Sequence, residues 1–262
     1  MFSTEPRCIY RSSQLGEVIC QLRFPQILAV QANIPAQFQE VIRDEYPIYS
    51  LRKELPAPKF SGTPGNLQLQ KQEAVNNYQF ASADGLWRIN LTSNFISLAC
   101  SRYTCWEDFA KKLDKPLAAF LSIYRPAFYE RVGLRYINFI SRQALCLEDV
   151  PFSMLIQPKY LGLLADEQVN EQTATRSTVD AEVPIRGGCR AKIHAGPGMV
   201  TRKGQQDKEA KFVLDFDLYM PGKVEVKHSA AALQTLHSQA YPLFRDAITD
   251  TLHEAMEPNA SP

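Results

Sequence analysis

The sequence predicts an α+β protein built on a curved, largely antiparallel sheet, with long helices packed on one face. Short runs of alternating apolar and polar residues, separated by turn residues, indicate antiparallel strands. Two longer segments repeat apolar residues every three or four positions, as amphipathic helices do. The order of strand, short helix, several strands and long helix occurs twice along the chain. We therefore expect two topologically similar halves, residues 1–128 and 129–262, that share one sheet within one continuous domain.

The first half begins with a predicted strand and a predicted short helix. Glu17–Phe24 alternates in polarity and is followed by a proline. The helix begins at Asn33 or Ile34, because Pro35 suits a first helical turn. Its apolar stripe consists of Phe38, Val41 and Ile42. Between Leu51 and Gly65, repeated prolines and glycines predict a surface loop.

Four antiparallel strands and one long helix are predicted next. The strands are Leu67–Glu73, Tyr78–Ser82, Leu86–Leu91 and Phe95–Cys100. The dipeptide Asp84-Gly85 predicts a tight hairpin between the second and third strands, because a type I′ turn requires positive φ. Apolar spacing from Trp106 to Tyr124 predicts the helix, and Pro116 within it predicts a kink or a break.

The second half repeats this order with a longer first strand. Its predicted strands are Glu130–Ser141, Asn170–Glu182, Gly188–His194 and Phe212–Tyr219. The segment Gly196–Lys211 is rich in glycine, lysine and glutamine and predicts a mobile loop. A closing helix follows, with apolar residues from Leu233 to Met256, and Pro242 predicts an interruption in it.

The most informative strand is Arg131–Ile140. Side chains alternate across a strand, so Leu134 and Tyr136 share an apolar face while Arg131 and Arg135 occupy the opposite face. A guanidinium is not buried without a partner. The arginine face must therefore meet water, carboxylates or a ligand.

Composition excludes several classes of protein. The 262 residues are 45% hydrophobic and 22% charged, which is ordinary for a soluble globular protein. The formal net charge of +1 argues against a dedicated binder of duplex nucleic acid. The first ten residues have no apolar core of a secretory signal, and no apolar run is long enough for a membrane helix. We expect a cytoplasmic protein without membrane contact.

The sequence predicts no catalytic residue, no metal and no cofactor. The six cysteines form no CxxC pair and are expected to be reduced thiols. The four histidines do not have the HExxH spacing, and His237 is expected to be a packed or capping residue. The glycine pairs match neither a P-loop nor a dinucleotide fingerprint.

Two carboxylates on a later strand are natural partners for the arginine face. Asp215 and Asp217 flank one residue, so both project from the same side of their strand. Three interpretations stay open: cross-strand ion pairs, a polar ligand pocket, or acid–base or divalent-cation chemistry. The predicted ligand-binding residues are Arg23, Arg131, Arg135, Asn138, Asp215 and Asp217.

The chain resembles a sporadically distributed prokaryotic family of uncharacterised proteins of about this length. The resemblance is strongest in the strand motif Arg131-x-Gly133-Leu134-Arg135-Tyr136-Ile137-Asn138. Further matching residues extend over nearly the whole chain: Glu17, Arg23-Phe24-Pro25, Asp84-Gly85, Leu91, Asn94, Ser97-Leu98, Tyr103, Trp106-Glu107, Phe109, Leu236-His237, Phe244, Thr249 and Met256-Glu257-Pro258. The resemblance implies no specific activity. The patchy occurrence of the family resembles that of toxin–antitoxin or phage-defence genes.

Three functional hypotheses follow. The leading one is a non-enzymatic binding or regulatory protein acting with a protein partner encoded nearby, in a mobile, toxin–antitoxin or phage-defence-type module. The second is a sensor or enzyme that binds a small anionic molecule or nucleotide on the polar sheet face. The third is single-stranded nucleic acid binding through the same face. Homo-oligomerisation is left open.

Overall fold

A computed structural model describes residues 2–55, 59–63, 66–70, 74–202 and 205–260 of the chain. The helices are α1 (Leu28–Ala32), α2 (Ala36–Ile42), α3 (Trp106–Tyr124), α4 (Pro158–Leu161), α5 (Ser229–Ala247) and α6 (Asp250–Ala255). The strands are β1 (Cys8–Tyr10), β2 (Leu15–Arg23), β3 (Ile48–Glu54), β4 (Lys59–Thr63), β5 (Asn66–Gln70), β6 (Val75–Ala81), β7 (Trp87–Leu91), β8 (Phe95–Cys100), β9 (Tyr129–Ile140), β10 (Val179–Pro184), β11 (Arg190–Arg202), β12 (Gln205–Val224) and β13 (Pro258–Ala260).

The predicted α+β class with a large antiparallel sheet is confirmed. Across the described ranges, nine strands form one sheet in the order β10-β11-β12-β9-β2-β8-β7-β6-β3. Two further two-stranded sheets pair β1 with β13 and β4 with β5. The similarity of the two halves, 1–128 and 129–262, and the curvature of the sheet stay predictions.

The chain forms two compact units. The first unit contains Met1–Ile19, Val132–Pro221 and His228–Pro262, and the second contains Cys20–Arg131 and Gly222–Lys227.

The second unit packs α3 against its hairpins. On α3, Phe109 contacts the ring of Trp87 on β7, with centroids 5.8 Å apart, and Phe120 contacts Phe24 at 4.8 Å. The predicted hairpin at Asp84-Gly85 is confirmed, but its turn is not the predicted type I′, because Gly85 has positive φ, at 71°, and Asp84 does not. Apolar residues at helical spacing therefore gave the correct buried face of α3.

Two local predictions in the second unit are wrong, and a third is wrong in part. Part of the predicted Leu51–Gly65 loop is strand β3, whose register with β6 runs from Ile48↔Ala81 to Glu54↔Val75. This strand is exposed along its length, so burial left no periodic signal in it. Val41 was placed on the apolar stripe of α2 but is 45% exposed. Of the kink or break predicted at Pro116, the break is absent, since α3 continues through this residue; the kink stays a prediction.

In the first unit, β9 alternates as predicted. Val132, Leu134 and Tyr136 are buried, whereas Arg135 is exposed. The Tyr136 hydroxyl lies 2.9 Å from Nδ1 of His237, so α5 contacts the buried face of β9 at this residue. Nε2 of the same histidine lies 3.1 Å from the guanidinium of Arg7, which makes His237 a bridging residue within the packing.

Two predictions about irregular segments in the first unit are wrong. The predicted mobile loop Gly196–Lys211 mostly belongs to β11 and β12, which pair through Gly198↔Lys211 and Met199↔Ala210 with a bulge beyond. Polar residues fit a strand whose backbone is paired, and only the pairing partner reveals it. The closing helix passes Pro242 and ends at Ala247, where Ile248 turns to an extended conformation.

None of the helices within the described residues is both long enough and apolar enough to cross a membrane.

Candidate functional site

The candidate site lies on one face of the three strands β10, β11 and β12 in the first unit. Their register places His194 between Asp180 and Asp215, and places Lys192 between Glu182 and Asp217. Each row therefore has an acidic residue on β10 and another on β12, and the residue between them on β11 is His194 or Lys192. We call these two triplets the charged rows: Asp180–His194–Asp215 and Glu182–Lys192–Asp217.

The alternation of each strand sends the charged rows to one face and apolar residues to the other. Ala191 and Ile193 on β11, and Leu214 and Phe216 on β12, are buried on the opposite side. A period of two thus gives every charged residue of the rows the same orientation. The packing of the apolar side holds that orientation in place.

Asp215 of the first row forms a two-point ion pair with Arg135. Arg135 on β9 donates from Nε to Oδ1 of Asp215 at 2.7 Å and from a terminal nitrogen to Oδ2. Asp215 is buried, with only 11% of its side chain exposed, whereas the Arg135 side chain is 44% exposed. At the other end of the row, Nδ1 of His194 lies 2.7 Å from Oδ1 of Asp180.

The Arg135 guanidinium lies in a strongly negative field. Its pKa is raised, first by the hydrogen bonds to Asp215 and then by the charges of Asp215, Asp217 and Glu17, against an opposing effect of burial. An arginine stays charged in proteins in any case. Asp215 occupies two of the donors of this guanidinium, and nearby carboxylates balance its charge.

In the second row, Glu182 has several polar partners. Its carboxylate accepts from the Tyr219 hydroxyl, from Nε of Arg190 at 2.8 Å, and lies 3.8 Å from Nζ of Lys192. The pKa of Glu182 is lowered, chiefly by the Tyr219 hydroxyl and then by the charges of Arg190 and Lys192. The Lys192 ammonium also lies 5.7 Å from the centre of the Tyr219 ring.

The charged rows line a cavity that is open to solvent and has a volume of about 550 Å³. Its charged lining residues are Arg135, Asp180, Glu182, Lys192, His194, Asp215 and Asp217. Four carboxylates stand against two permanent cations, so the lining carries a net charge of −2 when His194 is neutral. A cavity of this size falls within the range of small-ligand sites, which is roughly 300–1,000 Å³.

The structure brings together three of the six predicted ligand-binding residues: Arg135, Asp215 and Asp217 line the same cavity. Asn138 is 5% exposed, and its Nδ2 donates to the Leu214 carbonyl at 3.2 Å, so it ties β9 to β12.

The other two predicted residues belong to the second unit. Arg23 is exposed at the end of β2, and Arg131 is half-buried on β9.

Sequence reasoning missed four of the lining residues: Asp180, Glu182, Lys192 and His194. A signal was present, because Val179–Pro184 and Arg190–Ala195 each alternate charged or titratable residues with apolar ones. The alternation alone did not show that these strands are neighbours of the strand carrying Asp215. Strand order supplied that information.

Within the described parts of the chain, no group of three or more histidine, cysteine or acidic side chains has a metal-binding arrangement. The six cysteines are free thiols.

No protein-family model matches the chain, and no curated protein matches it. The resemblance to the sporadic prokaryotic family stays a prediction.

Proposed function

We propose that the chain is a non-enzymatic binding protein, and that the charged rows dock a basic segment of a protein partner. The observation that carries the proposal is the acidic excess in an open cavity, where four carboxylates face Arg135 and Lys192 in the lining and Arg190 beside Glu182. A lysine- or arginine-bearing segment would complement this charge.

Stability alone is a weak explanation for the charged rows. The side chains of Asp180, Glu182, Lys192 and His194 are between 38% and 69% exposed. Exposed ion pairs contribute only about 0–1 kcal/mol to folding. A face with so many half-solvated charges is better accounted for by an interaction outside the chain.

The carboxylates of the cavity also argue against the two alternative hypotheses, a small anionic ligand and a single-stranded nucleic acid. A small anion or a nucleic acid phosphate would have to displace Asp215 from Arg135, or approach Lys192 past Glu182 and Asp217. Both alternatives stay predictions and are outcomes of the experiment below. The resemblance to a patchily distributed family further favours a partner encoded in the same mobile or defence-type module.

The direct test measures binding of a fluorescein-labelled decapeptide of alternating lysine and serine by fluorescence anisotropy at low salt. We expect the wild-type chain to bind it, with affinity falling as salt rises. The double variant Asp180→Asn, Glu182→Gln should weaken binding roughly tenfold, since each exposed pair contributes up to about 1 kcal/mol. The matched control is Glu148→Gln, Asp149→Asn, two exposed carboxylates of the same unit outside the cavity, and it should change affinity less than twofold.

Two results would overturn the proposal. One is equal weakening by the test and control variants, which would indicate unspecific charge attraction. The other is preferential, salt-dependent binding of a single-stranded oligonucleotide that is lost on Arg135→Gln, which would favour the nucleic acid hypothesis. Co-expression with the products of neighbouring genes, followed by size-exclusion chromatography, tests the partner itself: the complex should dissociate with Asp180→Asn, Glu182→Gln and persist with Glu148→Gln, Asp149→Asn.

A further inference from the structure

Strand β3 forms one edge of the nine-stranded sheet. Among the described residues its only strand partner is β6, and the strand order ends at β3. All seven of its residues, Ile48–Glu54, are exposed. In an antiparallel pair, every second residue of a strand directs its N–H and C=O away from the neighbouring strand. The outer side of β3 therefore presents a row of backbone donors and acceptors with which another extended chain can pair.

The apolar layer of the second unit reaches this edge and stays open there. The ring of Phe38 on α2 lies 5.5 Å from that of Phe80 on β6, which in turn lies 5.7 Å from the ring of Tyr49 on β3. Phe38 and Phe80 are buried, whereas Tyr49 is 43% exposed. Leu51, on the same face of β3, is 44% exposed. A strand paired with β3 would extend the apolar layer past Tyr49 and Leu51.

The two ends of the strand order differ in how they resist pairing. Strand β10, at the other end, carries Asp180, Glu182 and Pro184. Charged residues and proline are the usual means by which an edge strand avoids a further partner. Strand β3 contains no proline, and its charged residues are confined to Arg52–Glu54. Its first four residues, Ile48–Leu51, are uncharged, and three of them are large and apolar.

On the opposite face of β3, Ser50 ends a row of side-chain hydrogen bonds. Its Oγ donates to Oε1 of Gln79 at 3.4 Å, and Nε2 of Gln79 donates to Oδ1 of Asn90 at 3.0 Å. Nδ2 of Asn90 then donates to Oγ of Ser97 at 3.1 Å. Because Ser50 gives its single hydroxyl proton to Gln79, it offers an acceptor at the edge. A residue that lies opposite Ser50 on a new strand should therefore carry a donor.

We propose that β3 pairs with β3 of a second copy of this chain, antiparallel about a two-fold axis at Leu51. This register pairs all seven residues of the strand, whereas an axis at Ser50 or at Arg52 pairs only part of it. Leu51 lies opposite Leu51 of the second copy, so the two open apolar layers meet at the axis. The contact is the same patch on both copies, as a two-fold interface requires.

The register matches the charged half of one strand to the uncharged half of the other. Lys53 lies opposite Tyr49 of the second copy, where its ammonium meets the ring and its methylene groups cover apolar surface. Arg52 lies opposite Ser50 of the second copy and supplies the donor that Ser50 accepts. Each of these pairs occurs twice, because the axis repeats it.

The last pair of the register also leaves no charge unanswered. Glu54 lies opposite Ile48 of the second copy and keeps the hydrogen bond that Nδ2 of Asn77 donates to its Oε1 at 2.6 Å. No two like charges lie opposite each other, whereas an axis at Arg52 would oppose two guanidinium groups. The sequence of β3 is thus complementary to itself, which favours a second copy over an unrelated extended segment.

Sedimentation velocity of the full chain, over about a hundredfold range of concentration, tests the dimer. The wild-type chain should pass from monomer to dimer within this range. Leu51→Lys and Leu51→Glu each place two like charges opposite each other at the axis, so each should weaken dimerisation more than about tenfold. An equimolar mixture of the two variants should restore the dimer, because a lysine then lies opposite a glutamate.

The matched control is Leu28→Lys, which alters another exposed apolar residue of the same unit, 69% exposed and outside β3. It should dimerise as the wild type does. Amide hydrogen exchange of the wild-type chain locates the interface without any variant. Exchange from Ile48–Glu54 should slow as the dimer fraction rises, because pairing covers the outward N–H groups.

The proposal is overturned if the wild-type chain stays monomeric, or if exchange from Ile48–Glu54 does not change with concentration. Equal weakening by Leu28→Lys and Leu51→Lys would indicate unspecific apolar association and overturn it too. A mixture of Leu51→Lys and Leu51→Glu that stays monomeric contradicts the axis at Leu51. Strand β3 belongs to the second unit and the charged rows to the first, so these results leave the proposed docking function to its own experiment.

Discussion

Arg135 and Asp215 form a two-point ion pair in which both carboxylate oxygens accept hydrogen bonds from one guanidinium. The pair is asymmetric, because the aspartate is buried while the arginine is nearly half exposed. The interaction therefore protects a carboxylate that could not be left alone at the sheet surface. It also links β9 to β12 on the side that faces the cavity.

Removing the arginine should cost stability. We expect Arg135→Met to lower the free energy of unfolding by about 1–2 kcal/mol, since it leaves a buried acceptor without its donors. The partial exposure of Arg135 keeps the cost below that of a fully buried pair. The measurement is urea unfolding at neutral pH. In the background of Asp215→Asn, Arg135→Met should lower the free energy of unfolding clearly less than in the wild-type chain. If the losses of the two single variants simply add in the double variant, the two residues are not directly coupled.

The Tyr46 hydroxyl explains how α3 accommodates Pro116. Proline has no N–H, so the carbonyl of Lys112 four residues earlier loses its helical donor. Tyr46, which is buried, donates to that carbonyl at 3.2 Å. Tyr46→Phe should therefore reduce the free energy of unfolding by about 1 kcal/mol.

A double-mutant cycle tests this account of the proline. In the background of Pro116→Ala, residue 116 regains an N–H that can donate to the Lys112 carbonyl. Tyr46→Phe should then cost measurably less than in the wild-type chain. If the cost is the same in both backgrounds, the hydroxyl does not compensate for the proline.

Low pH should reduce the stability of the folded protein partly through Asp84 in the hairpin turn. The Ser82 hydroxyl, and then the Leu86 N–H, lower the pKa of Asp84 in the folded state. A carboxyl with a lowered folded pKa stabilises the protein above its unfolded pKa, near 4, and loses this effect as pH falls through the folded value. Asp84→Asn should therefore flatten the acid side of the stability profile measured by urea unfolding.

The control for this profile is Asp114→Asn, which changes an exposed carboxylate on α3 of the same unit. It should leave the slope below pH 4 closer to that of the wild type than Asp84→Asn does. A steeper acid slope in Asp84→Asn than in the wild type would contradict the assignment.

The cysteines should differ sharply in reactivity. Cys146 is exposed, whereas burial raises the pKa of Cys20 to about 12 and also raises the pKa of Cys189. The thiolate is the reactive form. With iodoacetamide at about pH 8, a mild alkaline condition below these pKa values, mass spectrometry should find Cys146 alkylated first and Cys20 unmodified.

Unfolding provides the control for the labelling experiment. In guanidinium chloride, all six cysteines should react at similar rates, because burial no longer distinguishes them. Alkylation of Cys20 in the native protein as fast as that of Cys146 would show that its strand opens far more readily than its burial implies.

Local pattern was sufficient for elements whose own residues decide their environment. Val132, Leu134 and Tyr136 alternate with a polar face and form a buried strand face. Apolar residues at helical spacing define α3 from Trp106 to Tyr124. The hairpin at Asp84-Gly85 follows from the need for positive φ at one position. In these cases the conformation that the local residues favour is the one that they adopt in the folded protein.

Local pattern failed where the deciding partner lies far away along the chain. Polar residues of Gly196–Lys211 become paired strands only because β11 and β12 lie side by side. In α3, the Lys112 carbonyl that Pro116 leaves without a helical donor accepts from the Tyr46 hydroxyl, 66 residues earlier in the chain than Lys112.

The candidate site divides in the same way. The sequence by itself determined that an arginine face and two carboxylates existed, because alternation along a strand is a local property. Only the tertiary structure decided that Arg135 pairs with Asp215 and that Asp180, Glu182, Lys192 and His194 complete the cavity. Strand order and register set which side chains become neighbours, and they depend on the packing of the whole sheet rather than on any one strand.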